Sequence, residues 1–285
     1  MKMSKMTRAA LAVVGGGFAV PALAYSLDPL VAGPVAGSHG VDSQWVQVNM
    51  NWPGYNDPNK GIIDLARANQ ALSQFAGVDP SSPQAVDAGL WNTYSGVVGQ
   101  VNFANADFNS TVWNVNGSSV VWGQIYGTRP LAPVFAGSPD SSYQNNFVGR
   151  FNGRLYIPYS GEWNLGVLVD DGFTFTLQGA NNASLTMLRD GEAPPNLISY
   201  ASNLDLAQGV YGFSMTGYNH LQAGVLSLEW WSRANPTWQT VSAANLFTSV
   251  SPVPEPGTAA LLLAGLGLVG LAAVRRGSKR PLPGL

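Results

Sequence analysis

The 285-residue chain carries sixteen acids, fourteen bases, two histidines and no cysteine. The missing thiols exclude disulfides, thiolate zinc sites, c-type haem and cysteine nucleophiles, and two histidines exclude a multi-histidine metal centre. Between residues 27 and 252, fifteen acids face seven bases, a net charge of minus eight that argues against nucleic acid and anionic membranes as partners.

The chain opens as an export signal. Lys2, Lys5 and Arg8 precede an apolar run from Ala9 to Val20; Pro21 breaks it, and Ala22-Leu23-Ala24 offers small residues to a signal peptidase. Twelve residues as a helix reach about 18 Å, short of a hydrocarbon core of roughly 30 Å. Residues 1–24 therefore read as a signal peptide cut before Tyr25. Residues 25–43, rich in Gly, Pro and small side chains, read as a mobile leader. Gln44 to Met50 alternates and reads as a first strand. After a turn-rich loop, Ile62–Phe75 is the one clear helix, with Ile62, Leu65, Ala66, Leu72 and Phe75 on one face and Gly77 beyond its end. Gly96 to Ala104 and Thr111 to Tyr126 read as strands, the second broken by an Asn116-Gly117 hairpin turn.

The strongest period-two pattern starts at Phe147. Phe147, Gly149 and Phe151 share a face; Trp163, Leu165, Val167 and Val169 share another. Asp170-Asp171-Gly172 interrupts, and Phe173, Phe175 and Leu177 resume. This predicts a hairpin whose connection is the acidic pair and the glycine. Gly209 to Met215 and Ala223 to Trp231 supply further strands. By alternation Trp163 and Trp230 face the core, while Trp231 points away from it. Many short strands with Gly, Asn and Asp turns specify an all-β, antiparallel fold over 44–250, a sandwich or a barrel.

Residues 251–257 form a Pro-Glu-Pro linker. Thr258 to Val274 is uncharged, and 275–285 is a basic tail with Arg275, Arg276, Lys279 and Arg280. As a helix the 258–274 run is about 26 Å long, enough to span a slightly thinned bilayer. The basic cluster then places the C-terminus in the cytoplasm and the bulk of the chain outside. Hydropathy alone leaves a plain anchor and a processing signal equally open. The two prolines keep the peptide before the span extended and accessible. The Pro254-Glu255-Pro256 box, the Gly/Ala/Leu-rich span and Arg275-Arg276, in that order, resemble the PEP-CTERM sorting signal of Gram-negative bacteria. The resemblance implies cleavage by an exosortase near the box, residence at the cell surface or in an extracellular matrix, and an envelope rich in exopolysaccharide.

Adjacent carboxylates repel each other unless a cation lies between them, and hard oxygen donors suit calcium. The bland alternative is a solvated turn, where Asp and Gly are ordinary residues. Phe147-Val148-Gly149-Arg150-Phe151, Ser160-Gly161-Glu162-Trp163 and Val169-Asp170-Asp171-Gly172 together resemble the protective-antigen-type domain, a β-sandwich of toxins, glucosidase inserts and yeast flocculin lectins. The resemblance is clearest over 147–247, and the helix at Ile62 departs from it. It implies that Asp170 and Asp171, joined by a cis peptide, hold calcium together with Asn219, and that glycans bind nearby. Trp231 and His220 are the candidate ligand contacts. The expected function is thus a non-enzymatic, exosortase-sorted surface protein with a calcium-dependent carbohydrate site. A structural surface protein with no ligand is the alternative. A glycan-active hydrolase ranks last: only Glu162, Glu192 and Glu229 are available as glutamates, Glu229 sits mid-strand, and no Gly-x-Ser-x-Gly element accompanies His220.

Overall fold

A computed structural model describes residues 25–135, 145–252 and Leu266. The expected signal peptide, the Pro-Glu-Pro box, the basic tail and all of the apolar span but Leu266 lie outside the described residues. Among the described residues no helix is long and apolar enough to cross a membrane.

The chain begins with β1 (Tyr25–Leu27), β2 (Val31–Ala32), β3 (Val35–His39), β4 (Val41–Val48), α1 (Leu65–Phe75), α2 (Pro83–Asp87), β5 (Leu90–Val98) and β6 (Asn102–Ala104). An insertion follows with α3 (Ala106–Ser110), β7 (Trp113–Val115), β8 (Ser118–Val120) and α4 (Trp122–Tyr126). The remainder is β9 (Phe147–Ile157), β10 (Gly161–Asp170), β11 (Gly172–Gln178), β12 (Ser184–Arg189), β13 (Asn196–Ser199), β14 (Leu204–Leu206), β15 (Gly209–Asn219), β16 (Val225–Ser232), β17 (Asn235–Thr240) and β18 (Leu246–Pro252).

Two sheets face each other. The first runs β1-β14-β10-β16-β17, with β13 also on β10 and β6 also on β16. The second runs β12-β11-β15-β9-β18-β3, with β4 and β5 joined through β9 and β2 on β15. Strict alternation puts Leu165, Val167 and Val169 of β10 opposite Phe173, Phe175 and Leu177 of β11 in one buried core. Trp45 of β4 is fully buried there, edge-on to Phe103 at 5.4 Å and to Phe151 at 5.2 Å. The N-terminal half therefore belongs to the same sandwich, because β4 pairs with β9 from Asp42–Asn152 to Gln47–Phe147.

Five expectations are corrected, four of them in the strands and the leader. The acidic pair is not a hairpin turn: β10 bonds only within the first sheet and β11 only within the second, so Asp170-Asp171 carries the chain from one sheet to the other. Alternation cannot distinguish these cases, since both strands present the same face to the same core. The leader is not mobile over its length: β1 pairs in parallel with β14, and the Tyr211 hydroxyl donates to the Leu27 carbonyl at 2.9 Å. The stretch 111–126 is a small hairpin followed by a helical turn, not two long strands. Gly96 to Ala104 divides between β5 and β6.

Helix α1 starts later than hydrophobic spacing suggests. Asp64 is its cap, accepting from the Arg67 N–H at 2.7 Å, and Ile62 is buried ahead of it. The buried face is Ala68, Ala71, Leu72 and Phe75, while Ala66 is exposed. This face packs on Val46, Val48, Val148 and Tyr218, on the outer side of the second sheet. Asp64→Ala removes the cap bond and is expected to lower stability by about 1 kcal/mol in urea unfolding.

Candidate functional site

The site forms where β10 hands over to β11. Asp170 ends β10 opposite Val225 of β16, and Gly172 starts β11 opposite Tyr218 of β15. The Asp170–Asp171 peptide is cis. The third residue of this triplet must be glycine for a local reason. A Cβ on Gly172 would lie 2.5 Å from the Tyr218 hydroxyl, inside van der Waals contact with its ring.

Both carboxyl groups are buried, Asp170 to 4% exposure and Asp171 to 6%. Asp171 accepts the His220 N–H on Oδ2 at 2.8 Å and the Ala193 N–H on Oδ1 at 3.0 Å. Its own N–H donates to the Tyr218 carbonyl at 2.7 Å. Burial pushes the Asp170 carboxyl up to about 10, reinforced by the charge of Asp171 and a hydrogen bond with it; Arg189 opposes this. Burial also raises Asp171, against the pull of its two backbone donors. At neutral pH the two groups share a proton or need a cation.

Asn219 ends β15 beside them and is fully buried. Its Nδ2 donates to the carbonyls of Leu221 at 3.0 Å and Ala223 at 3.3 Å, which fixes the amide orientation. Its Oδ1 is left buried without a donor, a costly arrangement for an amide oxygen. Among the described residues no three His, Cys, Asp or Glu side chains converge as a metal site. The orphaned Asn219 oxygen is a hard donor of the same kind as the carboxylates. Two carboxylates and one amide oxygen suit a hard cation such as calcium, whose six to eight oxygens leave room for further donors.

The carboxylates open on a cavity of about 420 Å³. Its walls include Trp113 and Trp122 from the insertion, Glu192 and Pro194 from the segment after β12, and Gln222. Trp113 and Trp122 rest on the small core made by Phe108, Leu168 and Val225. Sequence reasoning missed both tryptophans and weighed Glu192 only as a hydrolase carboxyl, not beside the aspartates. The Asn116-Gly117 turn was a visible signal for the hairpin, with φ of 51° and 83° at the two residues. Nothing local says that it folds over carboxylates more than fifty residues away.

The structure brings Asp170, Asp171, Asn219 and His220 together. The His220 imidazole pairs through Nδ1 with Glu192, so it braces the rim. Gly61 abuts the same ring, since a Cβ there would lie 2.5 Å from His220 Cδ2. Trp231 does not join this group. It pairs with Asn164, six residues along β10 from Asp170, about 20 Å away at the strand rise. It is half-buried, whereas Trp163 is buried and Trp230 packs on the core. Pro254, Glu255, Pro256, Arg275 and Arg276 lie outside the described residues.

The PEP-CTERM protein-sorting motif matches residues 252–276, which span the Pro-Glu-Pro box, the apolar run and the arginine pair. The chain thus carries the sorting signal of exported, exosortase-handled surface proteins. No curated protein matches it. Similar solved structures include an anti-sigma factor domain-containing protein at 18% identity and a TM-score of 0.37, over 56% of this chain and 44% of that one. The chain therefore spans less than half the length of that protein. A PA14 sugar-binding domain from an RTX adhesin aligns at 12% identity and a TM-score of 0.43, over 75% of this chain and 100% of that one. The epithelial adhesin 9 A domain from Candida glabrata, in complex with Galb1-3GlcNAc, aligns at 12% identity and a TM-score of 0.42, over 78% and 95%.

Proposed function

We propose that this is an exosortase-sorted surface or matrix protein that binds a neutral glycan through a calcium ion held by Asp170, Asp171 and Asn219. The observation that carries this reading is the fully buried, donorless Asn219 Oδ1 beside two buried, coupled carboxyl groups. Calcium would supply positive charge and coordination positions open to vicinal sugar hydroxyls. The protein's own part is orientation. The His220 and Ala193 N–H groups fix Asp171, the loop carbonyls fix Asn219, and the half-buried Trp113 and Trp122 offer aromatic surface to a sugar ring. The acidic lining, with Glu192 added, favours neutral over anionic sugars. A glycan array run with calcium and again with chelator tests the reading: hits that vanish with chelator support it, and a blank array refutes it. Trp122→Ala is expected to weaken those hits about tenfold, the loss of an aromatic platform of roughly 1.5 kcal/mol, while leaving calcium binding intact.

The hydrolase reading gains no support at this pair. Both oxygens of Asp171 already accept backbone N–H groups, which makes it a poor nucleophile or base. Glu229 pairs with Arg129 at 3.2 Å and Glu162 with Arg233 at 2.8 Å. A ligand-free structural role draws on the same two Asp171 bonds, which staple two loops. An absent calcium response would favour that role.

A further inference from the structure

A second concave site lies at the opposite end of the sandwich, where β10 begins and β16 ends. It is a cleft of about 200 Å³ between the β9–β10 connection and the inner side of β17. Four aromatic side chains line it, Tyr159, Trp163, Trp230 and Trp231; Trp163 is buried, so the other three present the accessible surface. Tyr159 and Trp163 have centroids 4.7 Å apart and tilted by 38°, and Trp163 and Trp230 are 5.1 Å apart at 40°. The Trp163 indole N–H donates to the Tyr159 carbonyl at 3.1 Å, and the Tyr159 hydroxyl bonds Ser232 Oγ at 2.7 Å. The platform is therefore held in place before any ligand arrives. Tyr159 nevertheless remains 40% exposed, and β17 is solvent-exposed from Asn235 to Gln239.

The rim is polar and uncharged. Asn235 Nδ2 donates to Gln239 Oε1 at 3.1 Å, which leaves each amide further hydrogen-bonding capacity. No charged side chain lines the cleft among the described residues. Arg233, next in sequence to Ser232, is engaged by Glu162 at 2.8 Å.

We infer that this cleft is a second, calcium-independent carbohydrate subsite that takes one pyranose unit of a neutral glycan. Its chemistry selects that class. A pyranose has an apolar C–H face that lies on aromatic rings and equatorial hydroxyls that pair with side-chain amides. An apolar side chain would leave the spare hydrogen-bonding capacity of Asn235 and Gln239 unused. A phosphate or uronate would meet no cation in the lining, on a chain already strongly acidic. The cleft shares no lining residue with the aspartate cavity, so the inference stands apart from the calcium reading. Two glycan sites at opposite ends would let one molecule bridge two chains.

The test uses the full-length protein in EDTA, which silences any calcium site. Soluble neutral hexasaccharides (cello-, malto- and mannohexaose) and an oligoguluronate control are titrated by calorimetry. At least one neutral sugar is expected to bind, with the guluronate silent. Thr237→Arg places a long cation over the cleft from an exposed edge position and should weaken binding at least tenfold without changing the melting temperature. Trp231→Ala gives a second reading from the aromatic side, also with a loss. Leu188→Ser, at an exposed position of β12 that lines neither cleft, should leave the affinity unchanged. Silence of all three neutral sugars in EDTA overturns the inference. So does binding that survives Thr237→Arg, or guluronate binding as tight as the neutral sugars.

Discussion

Calcium at a hundred times its dissociation constant should raise the melting temperature by roughly 5–10 °C, and Asp170→Asn should abolish the rise. Selective binding to the folded state at that excess adds about 2.7 kcal/mol, and a domain of this size gains roughly 2–4 °C per kcal/mol. The same pair makes the chelated protein pH-sensitive in a defined direction. Asp170 titrates near 3.8 when unfolded and is pushed up to about 10 when folded, chiefly by burial. Between those values the folded state holds a proton that the unfolded chain has released. Stability in chelator should therefore fall as pH climbs from about 4 towards 10. Calcium should flatten that fall, because it substitutes for the shared proton. Asp170→Asn should melt higher than wild type in chelator at pH 8, since a neutral amide needs no proton uptake on folding. A wild-type protein indifferent to calcium, or an Asp170→Asn variant that melts lower there, would sink the cation site.

How much of this was readable in the sequence depends on the range of the interactions. The β9, β10 and β11 strands were legible because Phe147 and Phe151, Trp163 to Val169, and Phe173 to Leu177 each alternate within their own strand. The Asp170-Asp171-Gly172 break was legible as a feature, but not as a crossing between sheets. Strand partners are set by residues far away, and Val225 and Tyr218 carry no mark of their roles. The leader was misread because glycines and prolines suggest mobility, although only backbone bonding to β14 and β15 decides it. Trp231 was read correctly as facing away from the core but assigned to the wrong end of the sheet, since alternation gives the face and not the neighbourhood. The sorting tail was the most legible part, because its signal is contiguous and needs no folded context.

The insertion from residue 100 to 135 is where distant packing matters most, and Arg129 holds it. Its guanidinium donates to Asn102 Oδ1 at 2.9 Å, Thr240 Oγ1 at 2.6 Å and the Tyr126 carbonyl at 2.9 Å, and pairs with Glu229 at 3.2 Å. Asn109 brackets the Arg129 backbone, accepting its N–H at 2.8 Å and donating to its carbonyl at 2.9 Å. Glu229 is 4% exposed, with Ser227 and Thr240 as its other donors. Arg129→Met should strand that carboxylate and cost about 3–5 kcal/mol, lowering the melting temperature by roughly 10 °C. The double variant Arg129→Met, Glu229→Met should recover most of the loss, because an apolar pair of similar volume replaces a buried ion pair at little cost. The functional consequence follows from geometry. Tyr126 ends α4, and α4 begins with Trp122, whose ring stacks near Tyr126 at 6.4 Å. Loosening Arg129 should therefore weaken chelator-sensitive glycan binding and leave the calcium-induced rise in melting temperature in place. A double variant as unstable as the single one would show that the pair does not anchor the insertion. Loss of the calcium response in Arg129→Met would show that the wall and the cation site cannot be separated.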